Sequence, residues 1–125
     1  MRPPPRTSLF AAAKTWDASE VKARLAAVPE LATAADPRGR TALHLACAVK
    51  PGSSAELAES NGLRTVAALL RAGAALEAEV PMEEDEGDFR ATPLWYAVAR
   101  GENLPLVKLL LRHGANASYS LWAAV

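Results

Sequence analysis

The chain has a single cysteine, so no disulfide can close within it. Aromatic residues make up only 6% of the sequence, which leaves Ala, Leu and Val to build the core and suits closely stacked helices. No apolar run approaches the length of a membrane span. The amino terminus, with a short apolar stretch interrupted by Lys14, is too weak for a secretory signal. The expectation is a cytoplasmic protein with no membrane association. Acidic and basic residues balance at 14 each, so overall charge gives no case for nucleic-acid binding.

Catalytic and cofactor motifs are also missing. There is no glycine-rich phosphate loop, nucleophile elbow or kinase signature. Of the two histidines, neither His44 nor His113 has a Ser, Cys or Asp at a recognisable triad spacing. His44 and Cys47 form an i, i+3 pair, but two ligands without a second pair do not make a zinc site. The run Glu84–Asp88 lacks the alternating oxygen ligands and distal glutamate of a calcium loop. Cys47 fits the interior of a helix as a small hydrophobe. The reading is no enzyme, no metal and no cofactor.

What the chain does have is a repeated pattern. Thr92 is an N-cap, since its hydroxyl can accept a backbone N–H that the first helical turn leaves unpaired. Pro93 at the first helical position costs nothing. Leu94, Ala97 and Val98 follow at helical spacing, Gly101-Glu102-Asn103 interrupts, and Leu106, Val107, Leu109, Leu110 and Leu111 form a second apolar face. Gly114 closes that helix, because a left-handed residue past a helix end costs glycine almost nothing. The same pattern occurs earlier. Thr41, Leu43, His44 and Ala46 match Thr92, Leu94, Trp95 and Ala97, and Val66, Leu69, Gly73 and Ala74 match Val107, Leu110, Gly114 and Ala115. With the turn residues Asp36 and Gly39 and the trailing Asn116, this resembles the ankyrin repeat, a turn plus two antiparallel helices recurring about every 33 residues. The alanine-rich composition and long insertions are similar to those of small stand-alone bacterial ankyrin proteins.

The resemblance implies an all-α solenoid of stacked antiparallel helix pairs with turn or hairpin fingers. About three repeats are expected, with a partial fourth. Residues 1–6, MRPPPR, read as a disordered polyproline-type tail, and residues 7–125 as the repeat domain. A degenerate first repeat spans about 7–34, in which Trp16 stands where the third repeat has Gly101 and no closing glycine occurs. The second spans 35–77, with an insertion at 50–60 between its helices. The third spans 78–115 and the partial fourth 116–125, where Leu121-Trp122 echoes Leu94-Trp95.

The sharpest local bias is acidic. Seven of the 14 acidic residues lie between Glu77 and Asp88, with no basic residue among them. They form a negative finger on a body that carries the 14 basic groups against the remaining seven acids. Two readings of this run stand side by side: a solvated, disordered segment, or an arm that takes part in binding.

By resemblance, the function is non-catalytic binding of a protein partner through the concave face and turn tips. Positions matching that face are Lys14, Thr15, Arg38, Arg40, Val49, Glu86, Asp88, Phe89 and Arg100. Phe89, an aromatic beside acids at a turn tip, reads as an anchor, and Glu83, Glu84 and Asp85 as charges that steer a basic partner. The alternative is a structural or regulatory subunit that self-associates through an open C-terminal end, so the assembly state is monomer or weak self-association. In the ankyrin motif the imidazole at the position of His44 hydrogen-bonds neighbouring turns.

Overall fold

The computed structural model describes residues 5–52, 58–81 and 90–115. Within them the order is α1 (Pro5–Lys14), α2 (Ala18–Ala27), a 3-10 turn (Pro29–Thr33), α3 (Ala42–Cys47), α4 (Glu59–Arg71), β1 (Val80–Pro81), β2 (Arg90–Ala91), α5 (Pro93–Ala99) and α6 (Leu104–Arg112). The architecture is helical. The two short strands pair antiparallel, Val80 opposite Ala91 and Pro81 opposite Arg90.

Local chemistry defines the ends of each helix. Thr92 accepts the N–H of Trp95 and Asn103 that of Leu106, capping α5 and α6. Asp17 does the same for α2 through the N–H of Glu20. The C-terminal ends of α4 and α6 are built alike. Gly73 and Gly114 both take φ +96°, and the following residue's N–H bonds back to a carbonyl in the last turn, Ala74 to Leu69 and Ala115 to Leu110. That bond satisfies a carbonyl the helix would otherwise leave open. α2 has no such glycine and runs instead into the 3-10 turn at Pro29.

Paired helices pack in two layers, with α1, α3 and α5 stacked in one and α2, α4 and α6 in the other. Equivalent positions of the first layer are Leu9, Leu43 and Leu94, all buried, followed by Ala12, Ala46 and Ala97, also buried. The leucines fill the space between helices, and the alanines let adjacent first helices approach. Val21 and Leu25, then Val66 and Leu69, then Leu106 and Leu110 carry the core through the second layer.

Three local features differ from the sequence reading. α1 begins at Pro5, inside the stretch 1–6 read as a tail, since a proline at the head of a helix gives up no hydrogen bond. Trp16 does not share the backbone role of Gly101. It has φ 54°, the conformation of Glu102 at φ 48°, and each directly precedes the N-cap of its second helix. Gly101 is required for a different reason: a Cβ there would collide with the carbonyl oxygen of Cys47 in the preceding helix pair. Residues 53–57 of the insertion at 50–60, residues 82–88 of the acidic run at 77–88, Phe89 and the partial fourth repeat at 116–125 lie outside the described residues.

Candidate functional site

The turn before α3 organises one edge of the molecule. An isolated antiparallel bridge joins Ala35 to Thr41 and closes the loop 36–40, with Gly39 at φ +87°. Asp36 holds this loop from inside. Its carboxylate accepts the N–H of Arg38 at 3.0 Å, the N–H of Arg40 at 2.8 Å and the Arg40 guanidinium at 2.9 Å. Burial of the carboxyl works against its charge, but these donors outweigh that and hold its pKa below the usual 3.8. Arg40 is half-buried and tied inward, whereas Arg38 points its charge outward from an exposed position.

Behind the turn lies His44, fully buried. Its Nδ1 accepts the N–H of Thr41 at 3.1 Å, and its Nε2 sits 2.8 Å from the carbonyl oxygen of Ala78. A carbonyl can only accept, so Nε2 carries the proton and the ring is the neutral tautomer. Desolvation lowers the pKa of His44 below 6.5, consistent with that state. The imidazole thus ties α3 to the segment leading into the next helix pair, the role the repeat motif implies. Both ring nitrogens are engaged in structure, and none is left for proton transfer. Cys47 is also fully buried, and desolvation pushes its thiol well above the ordinary range, which makes it a packing group and not a nucleophile.

α5 contributes an aromatic patch next to the turn. Tyr96 meets the edge of His44 at 5.5 Å and that of Trp95 at 5.4 Å, both near perpendicular. The guanidinium of Arg100 lies 5.2 Å above the Trp95 ring, within cation–π reach. Burial raises the pKa of Tyr96 above 10, outweighing the lowering effect of the positive charges on Arg40 and Arg100. Of the sequence-derived candidates, Arg100 is thus stacked on Trp95, while Arg40 is tied to Asp36 and Arg38 stays exposed on the turn.

The remaining candidates fall elsewhere. Lys14 and Thr15 are exposed at the end of α1, the Thr15 hydroxyl bonded to the carbonyl of Ala11 at 3.0 Å. Val49 is half-buried just after α3 and packs against the core. Glu83, Glu84, Asp85, Glu86, Asp88 and Phe89 lie outside the described residues. Sequence reasoning missed the part played by Asp36, which fixes Arg40 and so decides that Arg38 is the freer charge. The signal was present in the spacing, since Asp36 sits two and four residues before the arginines it orders, as in an Asx turn.

Among the described residues no group of His, Cys, Asp and Glu is arranged to hold a metal. No described helix is long and apolar enough to cross a membrane. Stacked helix pairs joined by capped turns define a repeat protein of the solenoid class. Residues 90–120 match the family model of the ankyrin repeat, and the helical architecture of the described residues is consistent with that repeat. Such repeats are generally non-catalytic modules that bind other proteins. No curated protein matches the chain.

Proposed function

We propose that this protein is a non-catalytic interaction module that binds a protein partner through its first-helix face and turn tips. The observation that supports the reading is the Arg100 guanidinium stacked on the Trp95 ring, together with the exposed Arg38 on the turn before α3. Arg and aromatic side chains are the types that dominate interface energetics. A partner suited to this edge presents carboxylates to Arg38 and Arg100 and basic groups to the acidic run Glu83–Asp88. In this reading Phe89 is an anchor and the run contributes mainly to association rate. Lys14, Thr15 and Val49 are further contact positions in this reading. The domain divides into repeats at about 7–34, 35–77 and 78–115, with 116–125 as a partial fourth, and the protein works in the cytoplasm as a monomer or weak self-associate without cofactor, nucleic acid or membrane. Capture from a source-cell lysate tests this. A partner held by the native chain should be lost when Glu83, Glu84, Asp85 and Glu86 are changed to Lys, or when Arg38 and Arg100 are changed to Glu. Retention by both variants at equal helical content would contradict the reading.

A second reading is favoured by one contrast. Leu63 and Leu70 on α4 are half-buried against the core, while their counterparts Leu104 and Leu111 on α6 are 62% and 41% exposed. Self-association through this end would cover them. Sedimentation across a concentration range separates the two readings, because the monomeric module predicts a constant size.

A further inference from the structure

The seam between α2 and α4 lies on the other layer from the turn tips, and it is open. A cavity of about 510 Å³ lies where the α1–α2 connection meets the start of α4, with Lys22 and Arg64 in its wall. A second, of about 370 Å³, continues between Leu25 and Ala26 on α2 and Ala68 and Arg71 on α4. Lys22 lines both, so they form one groove. Its cause is side-chain size: Ala18, Ala26, Ala68 and Ala72 stand at positions where larger residues would close the seam.

The groove has a distinct chemical character. Arg64 and Arg71 lie two helical turns apart on one face of α4, about 10 Å along its axis. Ala68 lies between them, and Lys22 shares the groove from α2. All three cations are exposed. Among the described residues none of the three has an ion-pair partner. The carboxylate in the lining, Asp17, is turned to its own helix end, accepting from the Glu20 N–H at 3.1 Å. Between the charges the floor is apolar, formed by Leu25, Ala26 and Pro29 against Ala68 and Ala72.

We propose that this groove is a second docking site, taking an extended acidic peptide that carries an apolar side chain between its carboxylates. In a polyproline-type chain, residues three apart lie on the same side and about 9 Å from each other. That spacing places two carboxylates against Arg64 and Arg71, with the intervening apolar side chain on the alanine floor and Lys22 closing the opposite wall. A nucleic acid or other polyanion would satisfy the cations but leave the apolar floor wet, so an acidic peptide fits the observations better. This site is independent of the turn-tip face proposed above.

The test uses the full chain and a fluorescein-labelled peptide of glutamates and leucines, read by anisotropy. The expected result is saturable binding that weakens about tenfold or more in Lys22→Glu/Arg64→Glu/Arg71→Glu. It should weaken likewise in Ala26→Phe, which fills the groove without changing its charge. All four sites lie at the surface, so folding is expected to persist and is checked by circular dichroism. Lys108→Glu/Arg112→Glu, with equal charge change per site on α6, should bind as the native chain does. Three outcomes overturn the proposal: absence of binding, equal loss in the α6 variant with none in Ala26→Phe, or equal binding of a peptide whose leucines are replaced by serine. Tighter binding of a duplex DNA probe than of the peptide would overturn it too.

Discussion

The imidazole of His44 holds the carbonyl of Ala78, 34 positions further along the chain, at 2.8 Å. The bond joins one helix pair to the approach of the next, and its other ring nitrogen is held by Thr41. Stability should therefore depend on pH through this residue. Burial depresses the pKa of folded His44 below the 6.5 of the unfolded chain, so between those values the unfolded state binds more protons. The stabilising contribution is present above pH about 6.5 and is lost as pH falls through the folded pKa. A further loss follows below 3.8 as Asp36, also depressed, is protonated. In His44→Phe the first of these steps should vanish from a plot of unfolding free energy against pH. The variant should also be less stable near neutrality by about 1–3 kcal/mol, because the Thr41 N–H and the Ala78 carbonyl lose their partner.

Trp16 and Gly62 form a matched pair. The indole donates from Nε1 to the carbonyl of Ala46 at 2.9 Å, and its ring occupies the space in front of Gly62, where a Cβ would meet ring carbons at 2.8–2.9 Å. Gly62→Ala should lower stability by about 1–3 kcal/mol despite the better helix propensity of alanine. Trp16→Leu alone should cost more, through the lost hydrogen bond and packing. With both changes the cost should be less than the sum of the singles, as measured by a denaturant double-mutant cycle.

Gly101 and Gly73 separate two reasons for glycine. A Cβ on Gly73 would meet nothing, but its φ of +96° is unfavourable for other residues. Gly101 has no positive φ, and a Cβ on it would strike the Cys47 carbonyl of the neighbouring repeat. Gly73→Ala should cost about 1–2 kcal/mol. Gly101→Ala should cost more and also loosen the α3–α5 contact, seen as faster amide exchange in α5. Equal effects of the two changes would contradict this account.

Much of the fold was legible because its residues act locally. Thr92 and Asn103 cap the helices that follow them, Gly73 and Gly114 close them, and the spacing of Leu106 and Leu110 marks the buried face. These relations span one or two helical turns and leave a periodic trace. Trp16 was misplaced because its backbone conformation follows its position before the N-cap Asp17, while sequence matching aligned it by its distance from Thr7. The pairing of Arg40 with Asp36 and the stacking of Arg100 on Trp95 decide which candidate charges are committed and which are open, and identity alone did not distinguish them. The groove between α2 and α4 left no motif, since it arises from alanines on two helices that only the fold brings together.

The measurement that bears most directly on the proposed function is hydrogen exchange of the protein with its captured partner, compared with the free chain. Binding through the first-helix face and turn tips predicts slowed exchange in peptides covering 36–47 and 77–100, with α6 unchanged. Protection confined to α6, or no protection along the first-helix layer, would contradict it.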